Sequence, residues 1–269
     1  MRALGLLLLS ACTDYNLKEG KDEPTPGEQD SAVDSGEPVD SGEPDDSGTP
    51  IDTSVTEPSS PEEIYANSPT DLYAWDAASG GLTRIGPFMS SSGPITQMTD
   101  IAIDLDGNMM GVSFSTLYAI DGETGDCIFR ATLDDSMNAL TFLSDGRLVG
   151  TGGSTIYAID RSTGALSEIA TSSWTSSGDI VGLPDGMLYW TVAGGDYLMK
   201  VNPTTGAVTT LGNIGTSSVW GLAYADDTLY GFTPDGSHLA IDPATGARTG
   251  GGSTGEAIWG ATTNPYFWD

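Results

Sequence analysis

Short apolar runs recur through residues 64–269, each broken by Gly, Asp, Asn, Ser or Thr. Within the runs apolar and polar positions alternate with a period of two, and β-branched and aromatic residues are common, which predicts strands. Five runs end in one phrase, an apolar tripeptide closed by Asp or Asn and followed by x-x-Ser/Thr-Gly. Tyr73-Ala74-Trp75-Asp76 leads to Ser79-Gly80, and Tyr118-Ala119-Ile120-Asp121 to Thr124-Gly125. Tyr157-Ala158-Ile159-Asp160 leads to Thr163-Gly164, Met199-Lys200-Val201-Asn202 to Thr205-Gly206, and Leu239-Ala240-Ile241-Asp242 to Thr245-Gly246. The Asp or Asn side chain can accept hydrogen bonds from the loop N–H groups after it, and the Gly supplies a left-handed position.

Successive phrases lie 45, 39, 42 and 40 residues apart. A second signal sits upstream of four of them. Asp106-Gly107, Asp145-Gly146, Asp185-Gly186 and Asp226-Asp227 each separate two apolar runs, as hairpin turns do. One unit is therefore strand a, a tight hairpin, strand b, a short loop, strand c, the Asp-x-x-Thr-Gly loop and strand d. A period near forty with four short strands predicts an all-β propeller. Complete blades are expected over about 98–132, 137–170, 178–211 and 219–249. Leu72–Asp76 and Leu82–Ile85 then supply strands c and d of a fifth blade, and the tail from Ala257 supplies a and b, with Tyr266-Phe267-Trp268 aligned to the other b strands. The expectation is five four-stranded antiparallel blades closed by a composite blade, which hides edge strands from aggregation.

The first 63 residues follow other rules. Met1-Arg2 is followed by a Leu run too short to span a bilayer and then by Leu9-Ser10-Ala11-Cys12. This resembles a bacterial lipoprotein signal. The resemblance implies cleavage before Cys12, acylation of that cysteine, and, with Thr13 rather than Asp next, the outer membrane. Residues 13–63 carry the repeats Asp34-Ser-Gly-Glu-Pro38, Asp40-Ser-Gly-Glu-Pro44 and Asp46-Ser-Gly-Thr-Pro50. So acidic and apolar-poor a segment cannot offset its ordering entropy, so a disordered tether is expected. The domains expected are thus 1–12, 13–63 and 64–269.

Charge narrows the partners. The net charge is −29, with only nine Lys and Arg, so nucleic acid is excluded as a partner. If Cys12 is acylated, Cys127 has no partner for an internal disulfide and is expected to be a small apolar strand residue. The single His, His238, stands where other units have an aliphatic residue and cannot make a zinc site alone. Asp104, Asp106 and Asn108 place oxygens at alternate positions, as calcium loops do, but on a hairpin and without a closing Glu. No cofactor is required, and calcium is the one ion the sequence suggests.

The entry positions of the inner strands are Asp100, Asn138, Asp179, Trp220 and Trp259. With Trp174, and with Phe88 and Met89 on the longest interblade loop, they form a candidate ligand floor at the channel mouth. The Asp-x-x-Thr-Gly phrases resemble those of quinoprotein-like and surface-layer-type propeller repeats. The resemblance covers about 71–269 and bears on fold. The sequence favours a membrane-anchored, monomeric binding or scaffold module of the cell envelope, with a glycan, peptide or envelope protein as ligand. The alternative is a metal-dependent hydrolase or lactonase with calcium in the channel, held by Asp100, Asn138 and Asp179.

Overall fold

The computed structural model describes residues 63–216 and 218–268. The export signal, Cys12 and all of the expected tether but Glu63 lie outside the described residues. The chain enters as β1 (Ile64–Asn67), β2 (Asp71–Trp75) and β3 (Leu82–Pro87), then makes a small hairpin, β4 (Met89–Ser90) and β5 (Gly93–Pro94). The first complete blade holds β6 (Asp100–Ile103), β7 (Met109–Ile120) and β8 (Asp126–Met137). The second holds β9 (Ala139–Phe142), β10 (Leu148–Thr151), β11 (Thr155–Ile159) and β12 (Leu166–Thr171). The third is β13 (Ser176–Gly182), β14 (Leu188–Val192), β15 (Tyr197–Val201) and β16 (Val208–Asn213). The fourth is β17 (Gly221–Ala225), β18 (Thr228–Phe232), β19 (Ser237–Ile241) and β20 (Arg248–Ser253), and β21 (Gly260–Thr263) comes last.

Each blade is an antiparallel sheet, and the inner strands pack in the order β6, β9, β13, β17, β21 and back to β6. Five blades therefore close a ring. In the first blade strands b and c run together as β7. A straight strand would hold Gly111 and Ile120 about 30 Å apart, yet a Cβ on Gly111 would lie 2.4 Å from Ile120 Cδ1. The chain thus doubles back, and Phe114, at φ +52°, marks the turn.

The core is not one mass but five wedges, one at each blade interface. Alternation along a strand produces this. On β6, Ile101 and Ile103 face the wedge shared with the composite blade, and Ala102 faces the wedge shared with the second. Inner strands are buried on both sides, as for β9, whereas the outermost β20 is exposed throughout.

The repeated loops fold as their sequence requires. The side-chain oxygen of Asp76, Asp121, Asp160, Asn202 and Asp242 accepts the N–H two residues on at 2.8–2.9 Å. The Gly of each phrase has φ between +70° and +84° and donates back to the first residue's carbonyl at 2.7–2.9 Å.

The composite blade departs from expectation. It takes one strand from the C-terminal segment and three from the N-terminal segment, in the order β21-β1-β2-β3. Ile64 pairs with Thr263 and Asn67 with Gly260. Tyr266-Phe267-Trp268 does not form strand b, because Pro265–Phe267 is a single 3-10 turn. Asn264 Oδ1 accepts the Tyr266 N–H at 3.1 Å, and Pro265 has no N–H for a ladder. The loop over Gly86–Gln97 also differs. Met89 and Ser90 pair with Asp126 and Cys127 on the outer strand β8, and Phe88 is buried in the wedge beneath. Neither Phe88 nor Met89 reaches the channel mouth.

Candidate functional site

The entry positions of the inner strands converge on the ring axis, where they do two jobs. Asp100 and Asp179 are fully buried. Asp100 Oδ1 accepts the N–H of Ile101 at 2.8 Å, and its Oδ2 accepts that of Leu140 in the next blade at 2.5 Å. Asp179 repeats the pattern, with Oδ1 accepting the Ile180 N–H at 2.6 Å and Oδ2 accepting that of Leu222. The two carboxyls lie close enough to influence each other's ionisation. Burial pushes both pKa values well above the usual carboxylate range, and for Asp100 the facing charge of Asp179 adds to it. Two carboxyls in one dry site cannot both ionise, so the pair keeps a proton. They act as latches between inner strands.

Gly260 explains one Trp-Gly pair at the axis. A Cβ there would lie 2.2 Å from Asp100 Oδ1 and 2.6 Å from Asn67 Oδ1, so only Gly closes this neck. Gly178 does the same under Trp220, whose Cα would lie 2.3 Å from an added Cβ.

Above the neck opens a pocket of about 280 Å³, lined by Thr99, Phe114, Asn138, Ser177, Gly178, Trp220 and Trp259. The two indoles meet edge to face, 5.8 Å between centroids, as aromatic pairs prefer. Their sites before β17 and β21 place them on adjacent blades. The polar lining is mostly spent. Thr99 Oγ1 donates to the Val112 and Met137 carbonyls at 2.9 and 3.1 Å, and Ser177 Oγ donates to the Val219 carbonyl at 3.0 Å. The Asn138 carboxamide makes no hydrogen bond among the described residues.

Of the six residues expected to share this floor, the structure brings Asn138, Trp220 and Trp259 to the pocket and sets Asp100 and Asp179 in the neck. Trp174 is elsewhere: it packs edge-on to Tyr197, 5.2 Å away, over the wedge between the second and third blades. Sequence reasoning missed Phe114. Its signal was available, because the b–c turns of the second, third and fourth blades carry Gly152-Gly153, Gly194-Gly195 and Gly236, where the first carries Ser113-Phe114-Ser115.

The remaining candidate residues have defined partners in the fold. Asp104 Oδ1 accepts the N–H groups of Asp106 and Asn108, and its Oδ2 pairs with Arg161 at 2.7 Å. Burial pushes the Asp104 carboxyl up, and the hydrogen bonds from Asn108 and Arg161 more than offset this, leaving its pKa low. With Asp106 and Asn108 around it, this oxygen set closes a hairpin and ties the first blade to the second. Cys127 is buried, and burial with the neighbouring Asp126 charge pushes its thiol up to about 12. Its environment is that of a packing residue. His238 lies half-buried at the seam of the fourth and composite blades, 5.2 Å from the Trp75 ring, and burial lowers its pKa.

Fold and site together define a small closed propeller whose axis is closed by buried carboxyls below an aromatic pocket at the mouth. Residues 99–249, just over half of the chain, match the family described as outer membrane protein assembly factor BamB, and the chain belongs to that family. This agrees with the quinoprotein-type repeat expected from the Asp-x-x-Thr-Gly phrases. Among solved structures, a chain of the nidogen/laminin complex is similar at 14% identity and a TM-score of 0.52, over 76% of this chain and 82% of that one. A Kuenenia stuttgartiensis hydrazine synthase chain matches at 16% identity and a TM-score of 0.44, over 60% and 49% respectively. A Bacteroides caccae protein of unknown function matches at 10% identity and a TM-score of 0.45, over 73% and 74%. The nidogen/laminin likeness shows the fold alone. No match was found among curated proteins.

Proposed function

We propose that the protein is an envelope-associated binding or scaffold module that engages a protein partner through the channel-mouth face. Membership of a family described as an outer membrane assembly factor supports a protein-binding role. The observation that carries the choice of face is the pocket built on Trp220 and Trp259, apolar, half-open and set above a neck whose carboxyl oxygens are already engaged. Acylation of Cys12 would anchor the chain, and residues 13–63 would let the propeller reach its partner.

Photo-crosslinking in intact cells tests this. A crosslinking residue at Ser177, on the mouth, is expected to capture one defined envelope protein, and one at Glu123, on the opposite face, is not. In the same cells Cys12→Ala is expected to move the protein from the membrane to the soluble fraction. Equal capture from both faces would overturn the assignment of the face, and membrane retention of Cys12→Ala would overturn the anchor.

A further inference from the structure

Phe114 violates two local preferences at once. It holds φ +52° in a tight turn, a conformation that side chains bearing a Cβ resist, and the residue is 40% exposed. The b–c turns of the third and fourth blades place Gly194 and Gly236 at positive φ, so a smaller solution is available to the repeat. Strain and exposure at one residue fit a contact made outside the fold. Its ring stands on the pocket wall with Trp220 and Trp259. Three aromatic rings then surround a space of about 280 Å³, on the scale of one large side chain.

We infer that this pocket takes a single aromatic side chain, tryptophan above others, presented by an extended segment of the partner protein, with Phe114 as its third wall. The inference rests on the proposed binding role and names what that site recognises. The rings offer edges and faces to a planar apolar group. A sugar needs many polar contacts, and here the Thr99 and Ser177 hydroxyls already donate to backbone carbonyls and can only accept, which leaves the Asn138 carboxamide as the lining side chain with a free donor. A cationic group would find no carboxylate on the wall, because Asp100 and Asp179 lie buried in the neck and are hydrogen-bonded to backbone N–H groups. A peptide supplies both needs, a ring for the aromatic walls and a backbone carbonyl to accept from Asn138 Nδ2.

The test titrates the full chain with N-acetyl-tryptophanamide, N-acetyl-leucinamide and maltose, by calorimetry, alongside Phe114→Gly and Asn138→Ala. The expected result is saturable binding of the tryptophan amide, at least tenfold weaker binding of the leucine amide, and none of maltose. Phe114→Gly is expected to keep or raise Tm while weakening the tryptophan amide at least tenfold, and Asn138→Ala to weaken it several-fold. Undiminished binding by Phe114→Gly, stronger binding of maltose, or no binding of the tryptophan amide would overturn the inference. Capture of one envelope protein from Ser177 without tryptophan amide binding would leave the binding role standing and this inference overturned. The reverse pattern would overturn the role and support the pocket's chemistry.

Discussion

Several glycines sit where a side chain would collide with a neighbouring blade. Gly164 has φ +76°, and a Cβ added there would lie 2.4 Å from the Thr132 carbonyl oxygen on the outer strand of the preceding blade. Gly125 and Gly206 make the same approach, to the Pro87 and Ile169 carbonyls. The left-handed turn was legible in the Thr-Gly phrase, because a local rule demands it. The seat against the previous blade was not, because that contact exists only once the ring has formed. Gly164→Ala meets both constraints and is expected to destabilise by about 2–4 kcal/mol, read as a lower Tm or denaturant midpoint. A second glycine set shows size being traded between neighbours. Added Cβ atoms on Gly111, Gly150 and Gly231 would lie 2.4, 2.9 and 3.1 Å from the Cδ1 atoms of Ile120, Ile159 and Ile241. In the third blade Trp190 replaces this Gly and faces a c strand ending in Val201, while the composite blade pairs Ala66 with a c strand ending in Trp75.

At the scale of the strand, the sequence pattern was strong wherever a strand carries a repeated phrase. It was weak at β1, whose four residues Ile64–Asn67 take their inner neighbour, β21, from the far end of the described residues. Aromatic likeness drew Tyr266-Phe267-Trp268 into that role, but Pro265 and the Asn264 cap turn the chain first. The inner-strand entries were legible as polar, yet not as a coupled pair, since Asp100 and Asp179 meet only across the axis. Their coupling makes a prediction. A carboxyl whose folded pKa is raised takes up a proton on folding, so its stabilisation is full below the ordinary value of 3.8 and is lost as pH rises through the folded value. Asp179→Asn removes that titration but sets an amide donor against either the Ile180 or the Leu222 N–H, at about 1–3 kcal/mol. The variant is therefore expected to be less stable than the parent at pH 5, with the difference shrinking by pH 9. Exposed loop carboxyls such as Asp160, lowered by the Ser162 and Thr163 N–H groups, follow the opposite trend in both proteins and cancel in the comparison. An unchanged difference at the two pH values would show that the pair loses no proton between them.

For the whole ring, closure rests on a single short ladder. Consecutive blades are joined by the chain itself, from β3 onward through β20 to β21. The circle is completed without a covalent link by the pairing of Ile64–Asn67 with Gly260–Thr263. The wedge beside it contains Trp75, packed edge to face against Tyr230 at 4.9 Å and Phe232 at 5.0 Å. Opening the ladder would expose two strand edges and part of this wedge, which is why the composite blade matters beyond its hydrogen bonds. Ala66 and Ala261 stand directly opposite each other in the ladder. Antiparallel partners have Cα separations within the range a disulfide spans. Joining them restricts the unfolded chain over nearly the whole propeller, so oxidised Ala66→Cys/Ala261→Cys is expected to gain about 2–4 kcal/mol. Reductant should remove the gain. If unfolding begins at this ladder, the oxidised variant should also unfold more slowly, because the first opening step is blocked. A gain in equilibrium stability with an unchanged unfolding rate would instead place the first opening at another wedge, with the β21–β1 pairing lost only afterwards.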